Sequence, residues 1–249
     1  MGWLHHIFQT ARTLIFYLGT GIFTIFWVIL CFIVAPFLSQ TARFKFVSVA
    51  WNKVIITWAR ITCGIKYEII GAENIPDTPC VILSKHQCMW ETFFLQTLFI
   101  PQATLLKKEL LNVPFFGWAF RLINPIAIDR SNPRKALTSL IQQGKARLQE
   151  GVWVLIFPEG TRVPPGQKKE FAKGGAMLAA KTETPVLPIA LNAGEYWRSD
   201  SIAKVPGTIK IVIGPVIEAK GKKAGQIHEE SITWIQNKMK EISNIPTPD

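Results

Sequence analysis

The chain has 249 residues, a length that suits one domain with an appendage. Hydrophobic residues make up 49% and charged residues only 18%, which is apolar for a soluble protein and indicates contact with a membrane. The net charge of +11 fits an anionic lipid surface or nucleic acid as partner. We find no nucleic-acid-binding motif, and the basic residues lie among apolar ones, so no nucleic-acid partner is expected.

The amino-terminal quarter of the chain is apolar and basic. No Asp or Glu precedes Glu68, and residues 13–42 contain no charged side chain at all. As a helix, that uncharged stretch would measure about 45 Å, more than the roughly 30 Å thickness of a hydrocarbon core. Pro36 is expected to end or kink this helix.

A second helical pattern follows, between Phe44 and Ile61. Its apolar residues recur at helical spacing, with Lys53 and Arg60 on the other face, which predicts an amphipathic helix at the membrane interface. A core helix of the soluble domain is the alternative. Either the first segment crosses the bilayer once, or both segments form a hairpin in one leaflet. We predict membrane-anchoring helices in residues 1–64 and one domain in residues 65–249.

From residue 65 onward, short apolar runs alternate with helical patterns. This alternation predicts an α/β fold, a mixed sheet covered by helices on both faces. The predicted strands lie near 65–70, 80–83, 103–106, 126–128, 153–157, 186–191 and 208–213. The predicted helices lie near 92–99, 115–122, 133–150 and 228–242, with another after Gly174.

His86 lies in a predicted loop between a buried strand and a helix, where side chains are held rigidly yet stay reachable. Glu91 follows five positions later. On a continuous α-helix the two side chains would diverge by about 140°, so they meet only if the chain turns between them. A histidine oriented by a carboxylate is a general base with a fixed tautomer. The alternative is an ordinary polar loop residue.

A second group of candidate residues, Phe157–Arg162, ends another predicted strand. Gly160 lets the backbone approach a ligand closely, and Thr161 adds a hydroxyl. Arg162 offers a planar fork that matches phosphate oxygens. Alone, this turn is typical of a solvated loop. Beside a histidine at a strand end of the same sheet, it becomes a candidate anion site next to a base.

Four sequence blocks, taken in their order along the chain, resemble the glycerolipid acyltransferase family, which includes the bacterial 1-acyl-sn-glycerol-3-phosphate acyltransferases. The resemblance covers about residues 65–215. The family usually has Asp where this chain has Glu91; glutamate keeps the charge and adds one methylene, and a small backbone shift restores its reach to His86. The matching blocks are Lys85–His86 with Glu91, Lys107–Leu110 with Pro114 and Asp129–Arg130, Phe157–Arg162, and Val186–Ala190.

The resemblance implies transfer of a fatty acyl group from a thioester to the sn-2 hydroxyl of 1-acyl-sn-glycerol-3-phosphate (lysophosphatidate), which yields phosphatidate. His86 would take the hydroxyl proton, and Glu91 would fix its tautomer. Arg162, aided by Lys108, would hold the phosphate, and Glu159 would contact the glycerol or brace Arg162. The implied substrate-binding residues are Lys108, Glu159, Gly160, Thr161 and Arg162.

No metal or bound cofactor is expected, and acyl-CoA or acyl carrier protein would be the co-substrate. An acyltransferase for another lysolipid, such as a lyso-ornithine lipid, is one alternative. A hydrolase that uses water as acceptor is a second, and a non-catalytic membrane lipid-binding protein is a third. The expected location is the bacterial inner membrane, with the α/β domain on the cytoplasmic side because positive residues follow the first apolar segment.

Overall fold

The computed structural model describes residues 3–246, with side chains from residue 7 onward except that of Phe116. The strands occur where the sequence predicts them. They form one seven-stranded sheet in the order β1-β7-β6-β2-β5-β3-β4. The strands are β1 (Ile65–Ile70), β2 (Val81–Ser84), β3 (Gln102–Lys107), β4 (Ile126–Ile128), β5 (Trp153–Ile156), β6 (Val186–Leu191) and β7 (Gly207–Ile213).

All neighbouring strands are parallel except β6 and β7, so the predicted mixed sheet is confirmed. The central strands β6, β2, β5 and β3 run in one direction, and their carboxyl ends therefore lie on one edge of the sheet. The loops that follow β2 and β5 are neighbours at that edge because Leu83 lies opposite Ile156.

Helices cover both faces of the sheet, as predicted. Side chains alternate along the buried strands, so Val81 and Leu83 belong to one core while Ile82 belongs to the other. The Ile82 side packs against α1, α3 and α4, and the Val81 side against α6, α7 and α8. The helices are α1 (Trp3–Val34), α2 (Gln40–Phe44), α3 (Trp51–Cys63), α4 (Trp90–Leu98), α5 (Phe116–Arg121), α6 (Pro133–Gln149), α7 (Gly174–Thr182) and α8 (Ala224–Ile242).

The first helix ends where Pro36 was expected to stop it. Its α-helical part reaches Val34, and a 3₁₀ turn, Ala35–Phe37, follows. The helices α2 and α3 are joined without a break by a π-helical stretch, Lys45–Ala50. The chain therefore doubles back after Phe37, and the second helical segment runs alongside the first.

The helix α1 is fastened to the rest of the molecule by polar contacts along its length. The Lys204 backbone N–H donates to Thr13 Oγ1 at 3.0 Å, and Trp58 Nε1 donates to the Phe16 carbonyl at 3.2 Å. Further along, Trp51 Nε1 donates to Thr24 Oγ1 at 3.1 Å. Phe16 is 1% exposed and meets the Trp197 ring edge-on. One face of α1 is thus part of the folded body.

The predicted amphipathic helix also contributes to the core. Ile55, Ile56, Ala59 and Cys63 lie in the same buried cluster as the sheet residues. Val54 and Ile61, apolar residues of the same predicted helix, are exposed. The boundary at residue 64 stays a prediction; the two segments it separates share one core. Residues 1–2 and 247–249 lie outside the described residues.

The outer face of α1 is apolar and exposed. Among residues 3–246, one helical stretch, Ile7–Phe37, is long and apolar enough to cross a membrane. Its most hydrophobic window is only 17% buried, which distinguishes it from the core helix of a soluble protein. This exposed surface indicates membrane association. Its large apolar members include Phe8, Leu14, Leu18, Ile22, Phe26, Ile29, Ile33 and Phe37.

Substituting one aromatic residue on each face of α1 separates its two roles. We expect Phe16→Ala to lower the free energy of unfolding by about 3 kcal/mol, because it leaves a cavity in the core. Phe26→Ala, at a position that is 69% exposed, should leave that free energy nearly unchanged and weaken binding to vesicles. Thermal unfolding in detergent and vesicle flotation measure the two effects. Equal destabilisation by both variants would contradict the assigned faces.

Candidate active site

His86 and Glu91 meet because the chain turns between them. The strand β2 ends at Ser84, and α4 begins only at Trp90, so Lys85–Met89 is a loop. In this arrangement His86 Nδ1 lies 2.9 Å from Glu91 Oε1. The loop geometry that the spacing required is therefore present.

The Glu91 carboxylate is fully buried and surrounded by donors. Besides the His86 ring, Oε1 accepts the backbone N–H groups of Gln87 and Cys88, each at 2.6 Å. Oε2 accepts from Cys88 Sγ at 2.9 Å. Burial by itself would raise the pKa of Glu91, but the hydrogen bonds from His86 and Cys88 outweigh it and lower the pKa below its usual value. The group is ionised at neutral pH.

An ionised carboxylate only accepts hydrogen bonds, so His86 Nδ1 must carry the proton in this contact. In the neutral ring the lone pair then lies on the other nitrogen, Nε2, which is the atom that can accept a proton. Burial and the nearby Glu91 charge raise the pKa of the Cys88 thiol well above its usual value. Cys88 therefore stays a thiol that donates to Glu91, which argues against a cysteine nucleophile.

Neighbouring loops hold the histidine in place. The Phe157 ring stacks on the imidazole with centroids 3.9 Å apart, and the His86 carbonyl accepts from Val163 N at 2.8 Å. The buried Gln87 accepts from Gly194 N at 3.0 Å. Sequence reasoning missed Gln87 and Phe157 as supports of His86. The only sequence signal for Phe157 was its place at the end of a buried strand.

Glu159 has a different partner from the one expected. Its Oε1 accepts from Lys85 Nζ at 2.7 Å and from the His86 backbone N–H at 3.3 Å, and the residue is 3% exposed. Among the described residues it braces the loop that carries His86 rather than Arg162. Its second oxygen, Oε2, is buried without a hydrogen-bond partner in the described part of the chain.

His86 opens onto a cleft of about 1030 Å³. Its lining includes four cationic residues, Lys107, Arg130, Arg162 and Lys169, and none of its described lining residues is acidic. Most of the remaining wall is apolar. The apolar lining includes Met89, Phe93, Leu105, Leu110, Val113, Phe120, Leu137 and Leu140. The cleft thus combines a base, anion-attracting side chains and a hydrophobic surface.

Most of the predicted binding residues line this cleft. Gly160, Thr161 and Arg162 do so, and Gly160 adopts a φ of 67°, the left-handed region that favours glycine. Lys108 does not; its Nζ pairs with Asp129 Oδ2 at 2.5 Å outside the cleft. The adjacent Lys107 lines it instead. The strand β3 ends at Lys107, and Lys108 begins the 3₁₀ turn that follows, so the two lysines take different directions, which the sequence block alone did not resolve.

Arg130 also lines the cleft and donates to the Gly160 carbonyl. Among the described residues Arg130 forms an ion pair with neither Asp129 nor Glu150, which pair with Lys108 and Arg147. Asp129 pairs with Lys108 and also accepts from the Ser131 backbone and hydroxyl, and these contacts hold the pKa of its carboxyl well below the usual range. Arg130 is therefore available to the cleft as a fixed cation near the Gly160 turn.

Comparisons with known proteins agree with this geometry. The family model described as Acyltransferase matches residues 66–192. A 1-acyl-sn-glycerol-3-phosphate acyltransferase of Pseudomonas aeruginosa is 50% identical over 95% of this chain and 93% of its own length. One of Borreliella burgdorferi is 31% identical over 69% of each chain. The crystal structure of PlsC, a 1-acyl-sn-glycerophosphate acyltransferase of Thermotoga maritima, has the same fold, with a TM-score of 0.78, 96% coverage of both chains and 22% identity.

The ionised Glu91 gives a test of the site that depends on pH. Its pKa is lower in the folded state, so its stabilisation is present above the usual value of 4.5 and is lost as pH falls towards the folded-state pKa. We expect Glu91→Gln to lower the free energy of unfolding by about 1.5 kcal/mol or more at pH 7. The difference from the parent should shrink below pH 4.5.

Chemical unfolding in detergent across pH measures this difference. Glu241→Gln is the matched control, because the Glu241 side chain is 58% exposed and lies on α8, away from the cleft. It should show a small effect without pH dependence. A Glu91→Gln difference that stays constant down to pH 3 would contradict an ionised, stabilising Glu91.

Proposed function

Because the chain belongs to the acyltransferase family, we propose that it transfers a fatty acyl group from a thioester to the sn-2 hydroxyl of 1-acyl-sn-glycerol-3-phosphate, giving phosphatidate. The observation that carries the proposal is the contact of the buried Glu91 with His86, which lines a cleft that has four cationic residues and a mostly apolar lining. The activity for which the Pseudomonas relative is named supports lysophosphatidate as the acceptor.

His86 is the general base in this proposal. The acceptor hydroxyl is a weak nucleophile near neutral pH, so Nε2 removes its proton as the oxygen attacks the thioester carbonyl. Glu91 holds Nδ1 and stabilises the imidazolium that forms. When the tetrahedral intermediate collapses, the carbon–sulfur bond breaks and His86 returns the proton to the thiolate. The substrate alcohol takes the place of an enzyme nucleophile, so no acyl-enzyme is required.

The cationic residues of the cleft bind the acceptor phosphate. Arg162 supplies a planar fork, and Lys107, Arg130 and Lys169 add positive charge around it. Thr161 and the Gly160 backbone complete this phosphate site. Binding the phosphate here places the sn-2 hydroxyl towards His86, which converts an encounter of two lipids into an oriented reaction. Glu159 supports this site from behind through Lys85 and the His86 backbone.

The reaction uses no metal or bound cofactor in this proposal, and the thioester of coenzyme A or of acyl carrier protein is its co-substrate. No group of three or more His, Cys, Asp or Glu side chains within the described chain is arranged to hold a metal ion. Carboxylate, imidazole and guanidinium groups supply the base and the phosphate site.

The membrane-facing helix brings the site to its substrates. Contacts with the body run from Thr13 to Trp27 on α1, about 21 Å of helix, and the exposed apolar stripe lies on the opposite side. A helix fastened along its side favours seating in one leaflet over a perpendicular crossing. We place the protein on the cytoplasmic side of a bacterial inner membrane, where lysophosphatidate and the thioester meet.

One assay tests the function. Purified protein in mixed micelles is given lysophosphatidate and either acyl-CoA or acyl carrier protein thioester, and products are identified by mass. Phosphatidate supports the proposal and identifies the donor. Acylation of only a lyso-ornithine lipid or another lysolipid would change the acceptor, release of free fatty acid would indicate a hydrolase, and binding without turnover would indicate a lipid-binding protein.

His86→Ala should reduce the rate of phosphatidate formation by about 10²-fold or more, because the base is lost. His228→Ala, on α8 and outside the cleft, is the matched control and should stay within about twofold of the parent. Steady-state kinetics and thermal unfolding of both variants separate lost chemistry from lost fold. A His86→Ala enzyme that keeps more than about a tenth of the parental rate, a barrier change under about 1.4 kcal/mol, would rule out His86 as the base.

Arg162→Ala should raise KM for lysophosphatidate about tenfold, because the phosphate loses its fork, and Arg162→Lys should recover only part of the loss. The same variants should use a phosphate-free monoacylglycerol as the parent does. Initial rates with both acceptors make the comparison. An equal loss on the two acceptors would show that Arg162 acts through the fold rather than through the phosphate.

A further inference from the structure

A second polar pocket lies at the opposite end of the sheet strands from His86. It measures about 250 Å³ and is walled by the start of α2, the first residues of β3 and the end of α6. Val152, which precedes β5, lines this pocket, whereas Phe157, which follows β5, lines the cleft. The two are five residue steps apart along the strand, about 16 Å. The pocket is therefore remote from the His86 end of the cleft, although Gln102 in its wall donates to Thr104, which lines the cleft.

The charged groups of this pocket leave an excess of positive charge. Arg147 Nη1 contacts both oxygens of Glu150, at 3.0 and 2.8 Å, and Gln40 Nε2 donates to the same carboxylate at 3.4 Å. Arg147 and Glu150 thus offset each other. Arg43 uses one amino group to donate to the Leu38 carbonyl at 3.1 Å. It has no acidic partner among the described residues, and its charge is not offset.

Two buried polar atoms in the pocket wall have no partner within the described chain: Arg43 Nε, a donor, and Gln102 Oε1, an acceptor. Gln102 is 1% exposed, and its amide nitrogen donates to Thr104 Oγ1 at 2.9 Å, which leaves Oε1 as the end of the amide without a partner. Unpaired buried polar groups cost about 1–3 kcal/mol each. Both atoms are shielded from solvent in this conformation. Small rotations of the two side chains towards the pocket would let a ligand accept from Arg43 and donate to Gln102, which would remove both penalties.

We propose that this pocket binds the phosphate of an anionic phospholipid, with a headgroup hydroxyl donating to Gln102. A guanidinium suits a phosphate oxygen, and the volume exceeds the roughly 30 Å³ of a single water severalfold. Phe37, at 86% exposure, ends the apolar stripe of α1 one residue before Leu38, the carbonyl partner of Arg43. The pocket therefore lies where the membrane-facing surface meets the polar body, at headgroup depth.

The choice of a lipid, rather than a soluble phosphate ester, rests on the proposed seating of α1 in the membrane. Its consequence is a second lipid contact that holds the turn between α1 and α2 at the interface. Because the pocket is remote from His86, occupancy anchors and orients the enzyme without blocking the cleft. Anionic lipid in this pocket would then strengthen the attachment of the protein to the membrane, separately from the role of lysophosphatidate as a substrate.

Native mass spectrometry of the full-length protein in nonionic detergent tests the site. The protein is titrated with phosphatidylglycerol, which offers a phosphate and hydroxyls, and with phosphatidylcholine, which lacks the hydroxyls and net charge. We expect one phosphatidylglycerol to bind at least tenfold more tightly than phosphatidylcholine, and Arg43→Gln and Gln102→Leu each to abolish this preference. Arg60→Gln, which removes the same charge from an exposed position on α3, should keep it.

Equal losses in Arg43→Gln and Arg60→Gln would show diffuse charge attraction and overturn the site. Displacement of the lipid by an equal concentration of inorganic phosphate or glycerol phosphate would support an anion site and overturn its assignment to a lipid. Acyl transfer is measured in parallel in neutral micelles, and Arg43→Gln should retain it. His86→Ala should bind phosphatidylglycerol like the parent, so failure of the catalytic proposal and failure of this one give different results.

Discussion

The buried carboxylate of Glu91 is the constraint on which the site depends. A fully buried carboxylate is costly unless donors surround it, and here the His86 ring, two backbone N–H groups and the Cys88 thiol supply them. Those donors exist only if the loop after β2 curls back over the first turn of α4. The charge therefore shapes the loop, and the loop places His86. Glutamate performs this role with one methylene more than aspartate, since the backbone N–H groups of Gln87 and Cys88 reach its oxygen at 2.6 Å.

A second buried pair supports the same loop from the neighbouring strand. Lys85 lies in the loop that follows β2, and Glu159 lies in the loop that follows β5. Their contact at 2.7 Å is nearly inaccessible to water. Parallel pairing of these strands brings the two loops together at one sheet edge. The ion pair then ties the loop that carries His86 to the loop that carries Arg162. Removing either partner leaves a buried charge alone, so this pair fixes the geometry more than it adds stability.

Much of the fold followed from periodicity. The strands lie within a few residues of their predicted ranges because their apolar runs are short and bounded by Gly, Pro or Asp. The pairing order of the strands and the reversal between β6 and β7 were not predictable, since they depend on contacts between distant segments. In the site, the meeting of His86 with Glu91 followed from spacing. The exchange of Lys108 for Lys107 and the pairing of Glu159 with Lys85 depended on side-chain direction, which a motif does not specify.

The amino-terminal helices were also only partly predictable from the sequence. Composition indicated a membrane surface, but it could not show that one face of each helix packs on the body. Trp51 connects the two functions: its indole donates to Thr24 on α1, and its ring meets Phe93 edge-on with centroids 5.2 Å apart. Phe93 in turn lines the cleft that His86 faces. A direct series of contacts thus joins the helix at the lipid surface to the wall of the reaction cleft. The position of α1 on the body therefore helps to set the shape of the cleft, and membrane attachment and substrate access depend on the same packing.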